Sequence, residues 1–205
     1  MTDIRSVVDV VTRTRVLEPG SNPYLDEFRS VVESGTEGWV RFELRLPMVL
    51  EYAWAVPDEE AIRHLVSHGP LVELGCGLGY WAALVADRGG DIIAYDATLD
   101  PSQNQYVSDR GPWFDVRIGG PLAAADHPDR TLFLCWPPFD DTFAFDALSA
   151  YQGDTLIYVG EGPGGCTGDD IFHLLLEEEW EQVDWYQIPR FPTMHDSMYI
   201  YRRKR

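Results

Sequence analysis

The sequence feature that most constrains the fold is the stretch VELGCGLGYWAALVADRGGDIIAYD, residues 72–96. Three glycines, Gly75, Gly77 and Gly79, lie between a short apolar run and an apolar helical segment, and a second apolar run ends on Asp96. Short apolar runs are typical of buried strands, and glycine allows a sharp turn and a close approach of ligand to the backbone. The pattern predicts a strand, a glycine loop, a helix and a second strand, with a ligand at the carboxyl ends of the strands.

The alternation of short apolar runs and helical segments continues to the end of the chain. The runs lie at 71–75, 91–96, 114–120, 131–136, 155–160, 182–188 and 197–203. Strands that alternate with helices form parallel sheets covered on both faces, and the last two runs are close enough to pair as an antiparallel hairpin. We therefore predict an α/β fold, a Rossmann-like doubly wound and mostly parallel sheet with a C-terminal antiparallel hairpin.

The first seventy residues have a helical character. Two segments before residue 35 carry apolar residues at helical spacing, and the aromatic-rich segment that follows is predicted to be helical on either side of Pro47. A further helix is predicted to start at Pro57 and to end at a C-cap glycine, Gly69. The prediction is an N-terminal helical extension or lid over residues 1–70 and a Rossmann-like domain over residues 71–205.

The net charge of the chain restricts its partners. The formal charge is −18 at pH 7, and the only basic run is the last four residues, 202–205. Affinity for nucleic acids depends largely on lysine and arginine side chains that neutralise phosphates, so a strongly negative protein repels them. The charge disfavours DNA and RNA as substrates and favours a small molecule.

The cysteines and the hydropathy pattern indicate the compartment. Three cysteines occur at positions 76, 135 and 166, without CxxC spacing, and the start of the chain lacks the succession typical of an export signal. No window reaches the roughly 18 uncharged apolar residues that a membrane span needs. No spacing of His, Cys or Asp matches a metal site. We expect a cytoplasmic protein that binds no metal and no membrane.

The glycine loop has features that distinguish one nucleotide cofactor from another. A dinucleotide fingerprint, GxGxxG, would need a third glycine in a register that is absent here, because Tyr80 follows Gly79. Glu73, two residues before the first glycine, would repel a pyrophosphate but suits a ligand with ammonium and sulfonium charges. Asp96 lies where an acidic side chain can accept hydrogen bonds from ribose hydroxyls. These features favour a positively charged nucleoside over a dinucleotide.

At these residues the chain resembles a known family. ELGCGLG followed by the strand-terminal Asp96 resembles motifs I and II of the class I S-adenosylmethionine-dependent methyltransferases. The order of predicted strands and helices from residue 71 to 203, which ends in a hairpin, is similar to the fold of that superfamily. The resemblance implies S-adenosylmethionine as the cofactor. It also implies that the N-terminal extension forms a lid or part of a substrate site.

The resemblance also assigns residues to the cofactor. The predicted contacts are Glu73, Gly75, Gly77, Gly79, Tyr80, Asp96 and Cys135. By this resemblance the glycines border the methionine and ribose, Asp96 holds the ribose hydroxyls, and Glu73 acts through the loop or a water near the amino acid end. Many relatives read the adenine amine with an acidic residue after the third strand. This chain has glycines at 119 and 120, so adenine recognition stays unassigned.

The end of the fourth predicted strand, CWPPF at residues 135–139, is where this fold meets its substrate. It resembles the Asp/Asn/Ser-Pro-Pro-aromatic motif of amino-directed methyltransferases, but Trp136 stands at the polar position. Tryptophan has one donor and no acceptor, so it cannot accept hydrogens from a target nitrogen. Trp136 and Phe139 are predicted to form an aromatic wall beside an aromatic substrate or the sulfonium. The alternative is a strand exit packed by aromatic side chains.

Two loops offer a general base. Methyl transfer is an in-line displacement, so an enzyme supplies alignment and, for a hydroxyl acceptor, a base. Glu161 follows the fifth predicted strand, and His195 with Asp196 lies between the last two strands, at the edge of the glycine loop if the sixth strand runs parallel. Each of these also has a structural interpretation. Asp169 and Asp170 are expected to cap the next helix.

The sequence therefore predicts a methyltransferase that moves a methyl group from S-adenosylmethionine to oxygen or nitrogen of a small molecule. The predicted catalytic residues are Trp136, Phe139, Glu161 and His195. The acidic field and the aromatic-rich extension favour a neutral or cationic acceptor. Two alternatives stay open: an amino-directed methyltransferase that acts on protein or nucleic acid, and a non-catalytic cofactor-binding module of the same fold. The acceptor and the oligomeric state are not predicted.

Overall fold

A computed structural model of the protein describes residues 14–35, 38, 43–104 and 110–205. The helices are α1 (Pro23–Glu33), α2 (Arg45–Glu51), α3 (Glu59–Ser67), α4 (Tyr80–Asp87), α5 (Phe143–Ala150) and α6 (Asp170–Glu179), with a 3-10 helix at Pro121–Asp126. The strands are β1 (Leu71–Leu74), β2 (Ile92–Asp96), β3 (Val116–Ile118), β4 (Thr131–Cys135), β5 (Thr155–Gly160), β6 (Trp180–Tyr186) and β7 (Ser197–Arg203).

Within the described residues, these strands form one sheet in the order β3-β2-β1-β4-β5-β7-β6. Strands β1 to β5 are parallel, and β7 is antiparallel to both β5 and β6. The fold is Rossmann-like, and the predicted fold class with its C-terminal hairpin is confirmed. Because β7 reverses the chain, β6 runs in the direction of β5. The loop at 187–196 therefore reaches the carboxyl edge of the sheet, where the glycine loop lies.

The centre of the sheet is buried because helices cover both of its faces, whereas the edge strands β3 and β6 are largely exposed. Every residue of β1 and β5 is buried, as expected for central strands without a solvent-facing side. One hydrophobic cluster joins α1, α3 and α4 to one face, and a second joins α5 and α6 to the other. Side chains alternate along a strand, so neighbouring residues such as Phe133 and Leu134 enter different clusters.

The N-terminal helices share a core with the sheet. Tyr24 of α1, Met48 of α2 and Ile62 of α3 are fully or almost fully buried in the cluster that contains Trp81 and Phe133. Burial of this kind stabilises by about 1.5–3 kcal/mol for each large apolar side chain. The extension thus packs against α4 and against the face of the sheet that carries Phe133. The predicted boundary at residue 70 stays a prediction.

The boundaries of the N-terminal helices differ from prediction in two places. Pro47 lies within the first turn of α2, where its missing N–H has no intrahelical partner to lose, so the helix begins before the proline and continues past it. Helix α3 ends at Ser67, and His68 rather than Gly69 is the C-cap. Most of the first predicted helical segment lies outside the described residues.

The helix caps agree with the sequence. The Asp169 carboxylate accepts a hydrogen bond from the Phe172 N–H at 2.9 Å, which confirms Asp169 as the N-cap of α6. The Asp58 carboxylate caps α3 in the same way through the Ala61 N–H at 2.8 Å. Such caps satisfy N–H groups that the first turn leaves unpaired. Asp169 is therefore a structural residue.

Candidate functional site

A cavity of about 610 Å³ opens at the carboxyl edge of the sheet. The glycine loop, the ends of β2 and β4, and the segment from α2 to residue 54 surround it. The predicted site residues that line it are Glu73, Gly75, Gly77, Asp96, Cys135, Trp136 and Phe139. The cavity lies where open α/β sheets bind ligands, and it joins the predicted cofactor loop to the predicted aromatic wall.

The three loop glycines have different surroundings. All have positive φ, at 71° for Gly75, 57° for Gly77 and 73° for Gly79, which is the left-handed conformation that glycine adopts without strain. A Cβ at Gly79 would lie 2.9 Å from the Cβ of Phe114, whereas one at Gly77 would meet no atom within 4 Å. Gly79 thus serves the packing of the turn, and Gly77 leaves the backbone open to a ligand.

Asp96 connects the end of β2 to the glycine loop. Its Oδ2 accepts a hydrogen bond from the Gly77 N–H at 2.7 Å, and its Oδ1 accepts one from the Thr98 N–H at 3.3 Å. Burial raises the pKa of Asp96, and these hydrogen bonds act in the opposite direction. Each carboxylate oxygen can accept a second hydrogen bond. Asp96 can therefore hold the loop and still receive a ribose hydroxyl.

Glu73 is a buried acid in the wall of the cavity. Its exposed fraction is 1%, and burial, reinforced by the charge of Asp96, raises its pKa well above the ordinary range. The Oε2 atom is buried without a hydrogen-bond partner among the residues that the structure describes. An unsatisfied buried polar group is costly, and a donor or a cation that reached it would remove that cost.

Tyr80 lies outside the cavity, contrary to prediction. Its side chain is fully buried, and its hydroxyl donates to Asn22 Oδ1 at 2.9 Å and accepts from the Tyr24 N–H at 3.1 Å. The ring packs at 5.0 Å from that of Tyr52 and at 5.4 Å from that of Trp113. As the first residue of α4, Tyr80 faces the extension, so its contacts stabilise that packing.

Trp136 begins the turn after β4 in an unusual conformation. Its φ is 56°, which is rare for a bulky residue, and its indole N–H donates to Asp196 Oδ1 at 2.7 Å. The ring stacks on Trp54 with centroids 4.7 Å apart and an interplanar angle of 6°. Strained backbone persists where the surroundings hold it, commonly at functional sites. The predicted aromatic wall thus contains a second tryptophan, from the N-terminal extension.

Arg45 is a site residue that the sequence did not reveal, and Asp196, which the sequence suggested as the orienting acid of His195, meets Trp136 instead. Arg45 lines the cavity, and its guanidinium carbon lies 4.9 Å from the Trp54 ring centroid and 4.6 Å from that of Trp136. Burial raises the pKa of Asp196 to about 6, although the hydrogen bond from Trp136 acts in the opposite direction. Both residues meet Trp136 only through the tertiary fold, so no local pattern predicts these two contacts.

Glu161 holds two loops together beside the cavity. Its Oε2 accepts hydrogen bonds from the Cys166 N–H at 2.9 Å and the Cys166 S–H at 3.1 Å, and its Oε1 accepts one from the His195 N–H at 2.7 Å. Burial raises the pKa of Glu161, but these hydrogen bonds outweigh burial and leave the pKa below its ordinary value. A carboxylate of low pKa in this arrangement is a weak base.

His195 is also placed away from the predicted role. Its side chain is 76% exposed, with Nδ1 at 3.4 Å from Glu161 Oε1. It lines a separate surface groove of about 510 Å³ that lies against α1. Neighbouring side chains in an extended segment point in opposite directions, so His195 faces outward while Asp196 faces Trp136. The two do not form a base with its orienting acid.

The rest of the CWPPF turn is fixed by the loop before α6. The Pro137 carbonyl accepts a hydrogen bond from the Gly168 N–H at 2.9 Å, and Pro138 pairs with Thr167 in an isolated bridge. The Pro137 carbonyl is therefore already engaged within the protein. Phe139 lies at the rim of the cavity, with an exposed fraction of 57%. Its exposed ring is available to a ligand.

Neither a metal site nor a membrane span is found in the described residues. Over the described ranges, no group of three His, Cys, Asp or Glu side chains is placed to hold a metal ion. No helix in that part of the chain has the length and apolar character needed to cross a membrane. The three cysteines are free, and all three line the cavity.

Comparisons with known proteins return likenesses of fold. No family model matches the sequence, and no curated protein matches it. Among solved structures, the chain is similar to a TehB-like SAM-dependent methyltransferase from Corynebacterium glutamicum. The identity is 14%, the match covers 89% of this chain and 97% of that one, and the TM-score is 0.43.

Two further solved structures are similar to about 71% of the chain. One is the magnesium protoporphyrin IX methyltransferase from Synechocystis with bound SAM, at 15% identity and a TM-score of 0.43, covering 71% of this chain and 77% of that one. The other is TrmN from Thermus thermophilus, at 12% identity and a TM-score of 0.47, covering 71% and 48%. Likenesses at this level describe the fold alone.

Proposed function

We propose that this chain is a cytoplasmic methyltransferase that binds S-adenosylmethionine in the cavity and transfers its methyl group to oxygen or nitrogen of a small molecule. The observation that carries the proposal is the buried carboxyl of Glu73, a residue that lines the cavity beside a glycine loop tied to Asp96 and whose Oε2 has no partner among the described residues. A buried carboxyl oxygen at this position suits a cationic ligand more than a pyrophosphate.

The residues present fit the cofactor. Glu73 would accept a hydrogen bond from the ammonium group, and the positive charge would favour its ionised form despite burial. Gly77 leaves room for close approach to the backbone, and Asp96 retains acceptor capacity for ribose hydroxyls. Bound S-adenosylmethionine would supply an activated methyl group on a sulfonium.

The chain's own contribution to transfer is alignment. Trp54 and Trp136 form a rigid wall, and Phe139 stands at the mouth of the same cavity. Positioning a nucleophile in line with an activated carbon is worth several kcal/mol of barrier. Glu161 is engaged by Cys166 and His195, so it is poorly suited to remove a proton. An acceptor that is nucleophilic without a strong base suits this site.

A second candidate function is cofactor binding without transfer. It is favoured by the contacts of two predicted catalytic residues. Trp136 is hydrogen-bonded to Asp196, and Glu161 accepts hydrogen bonds from Cys166 and His195, so neither side chain is free to move a proton. Macromolecular amino methylation is supported less, because the formal charge of −18 opposes nucleic acid.

Calorimetric titration tests the cofactor. S-adenosylhomocysteine, the product of methyl transfer, is expected to bind, and NAD⁺ in a parallel titration is expected to release no heat because the glycine register does not suit a pyrophosphate. The absence of heat with S-adenosylhomocysteine would contradict both candidate functions.

Turnover then separates the two candidates. Release of S-adenosylhomocysteine from S-adenosylmethionine would be measured with a panel of small phenols, amines and aromatic acids. Transfer predicts turnover that Trp136→Ala lowers by about tenfold or more through loss of alignment, while affinity for S-adenosylhomocysteine changes little. Tight cofactor binding without turnover on any acceptor class would favour the non-catalytic module.

A further inference from the structure

The acceptor end of the cavity contains a buried arginine. Arg45 is the first residue of α2, its exposed fraction is 7%, and it lines the cavity. Its guanidinium carbon lies beside the stacked pair of tryptophans, 4.9 Å from the Trp54 ring centroid and 4.6 Å from that of Trp136. Cation–π contacts at these distances hold the group in place and leave its edges able to donate hydrogen bonds.

The donors of this guanidinium are poorly satisfied by the protein. Nη2 donates to the Trp54 carbonyl at 3.5 Å, at the limit of a hydrogen bond, and Nε is buried without a partner among the described residues. In the same part of the chain, no carboxylate lies within 4.0 Å of it. Burying a charge without an ion pair costs several kcal/mol, and an anionic ligand would offset that cost.

Asp196 is the nearby acid, and its contacts leave Arg45 available. Asp196 Oδ1 accepts the hydrogen bond of the Trp136 indole at 2.7 Å. Arg45 acts on Asp196 through space and lowers its pKa, against the larger effect of burial. Asp196 thus holds Trp136, and Arg45, which lines the cavity, keeps at least one donor, Nε, without a partner among the described residues.

We infer that Arg45 binds a carboxylate of the methyl acceptor, whose ring lies against the wall of Trp54 and Trp136; the acceptor is therefore a small aromatic carboxylic acid. The inference rests on the proposed function. The planar fork of arginine matches a carboxylate, and indole faces pack well on flat rings.

The charge of Arg45 inside the cavity, and not the net charge of the chain, determines whether an anionic acceptor binds. The formal charge of −18 favours a neutral or cationic acceptor at long range. Solvent ions screen that field beyond about 8–10 Å, whereas a guanidinium in a desolvated cavity acts at contact distance with little screening. Glu73 and Asp96 line the same cavity, so one arginine suits a single negative charge better than a polyphosphate.

Calorimetry tests the inference by comparing the affinities of aromatic acids and of their amides for the protein saturated with S-adenosylhomocysteine. Benzoate is compared with benzamide, and indole-3-carboxylate with indole-3-carboxamide. In the wild-type protein at least one acid is expected to bind about tenfold more tightly than its amide, the size of one charge-assisted hydrogen bond. Equal affinity within both pairs would overturn the inference.

Substitution assigns the preference to one residue. Arg45→Gln is expected to abolish the preference for the acid, whereas Arg63→Gln, on the exposed surface of α3, leaves it unchanged. If Arg45→Gln does not fold, as judged by circular dichroism, Arg45→Lys keeps the charge without the fork. This variant is expected to retain a reduced preference for the acid. A preference that survives undiminished in the folded variant would contradict the assignment.

The cofactor carries a carboxylate of its own, so a second experiment must distinguish it from the acceptor carboxylate as the group that Arg45 binds. Arg45→Gln is therefore also titrated with S-adenosylhomocysteine and with 5′-methylthioadenosine, which has no carboxylate. Affinity for both is expected to change less than about twofold, since Arg45 serves the acceptor. A loss confined to S-adenosylhomocysteine would overturn the acceptor assignment. Failure of the wild-type protein to bind S-adenosylhomocysteine would instead refute the proposed function.

Discussion

At the scale of single residues, the site contains acidic side chains whose pKa values are all raised by burial. Glu73, Asp96 and Asp196 are all buried acids, and burial is the first cause of the raised pKa of each. They differ in what satisfies them: Asp96 has backbone N–H donors, Asp196 has the Trp136 indole, and one oxygen of Glu73 has no partner among the described residues. A hydrogen bond from a ligand is therefore expected to contribute the most binding free energy at Glu73.

Replacing Glu73 tests that difference. Glu73→Gln preserves shape but removes the charge, so it is expected to weaken binding of S-adenosylhomocysteine by about tenfold or more through loss of a charge-assisted hydrogen bond. Calorimetry measures the change, and Glu60→Gln on the exposed face of α3 serves as the control. Unchanged affinity in a folded Glu73→Gln protein would show that this carboxyl does not meet the ligand.

The raised pKa of Asp196 predicts that the free energy of unfolding depends on pH. Its pKa is about 6 in the folded protein against 3.8 for an ordinary aspartate, so the folded state binds more protons between these values than the unfolded state. Stability from this group is therefore present at low pH and falls as pH rises from about 4 to 6, by about 3 kcal/mol.

The measurement is the difference in unfolding free energy between the wild-type protein and Asp196→Asn, from urea denaturation at several pH values. We expect the wild-type protein to lose stability relative to the variant as pH rises through this window. A difference that is independent of pH would mean that Asp196 titrates normally.

At the scale of elements, two turns at the carboxyl edge form the site. The glycine loop between β1 and α4 lines the end of the cavity proposed for the cofactor, and the turn after β4 lines the end proposed for the acceptor. Hydrogen bonds from other elements hold each turn: Asp96 of β2 holds the first, and Gly168 before α6 holds the second. Glu161 adds a connection between the loops after β5 and β6.

Two alanine substitutions separate packing from ligand approach in the glycine loop. Gly79→Ala would place Cβ at 2.9 Å from the Phe114 Cβ at a φ of 73°, and we expect a loss of about 2–4 kcal/mol of stability. Gly77→Ala is less crowded, so we expect about 1–2 kcal/mol from its φ of 57°. Its Cβ would meet the ligand, so affinity for S-adenosylhomocysteine should fall more than in a folded Gly79→Ala protein.

Chemical denaturation and calorimetry of both variants give the comparison. The reverse ranking, with Gly79→Ala the milder in stability and Gly77→Ala without effect on affinity, would contradict the roles assigned to these two glycines.

At the scale of the whole molecule, the N-terminal extension and the sheet complete one cavity together. Helices α1 to α3 share a core with α4, and the connection after α2 brings Trp54 onto Trp136. The net charge acts at this scale too, since a formal charge of −18 opposes polyanions whatever the local site contains.

This charge predicts weak binding to nucleic acids. Titration with a single-stranded RNA of about 20 nucleotides at about 50 mM salt should show no binding at micromolar concentration, because few cations are available to release counterions from the phosphates. Fluorescence anisotropy measures it, with bovine serum albumin as an acidic control protein. Binding that weakens steeply with salt would instead support the macromolecular alternative.

The interactions that the sequence by itself determined are local ones. Strand, glycine loop, helix and the acid at the end of β2 follow each other within residues 72–96, so their spacing alone indicated the fold and the position of the cavity. The periodicity of apolar residues predicted the parallel sheet and its closing hairpin, because burial on both faces requires that pattern.

Tertiary structure decided which side chains meet at the proposed acceptor end of the cavity. Trp136 reaches Asp196 across 60 residues, and Arg45 reaches both tryptophans from another element. The same packing turned Tyr80 into the core and engaged Glu161 between loops. Local sequence determines the backbone turn that a residue occupies. The direction and partners of its side chain depend on elements distant in sequence, and these alone placed a buried cation beside the aromatic wall.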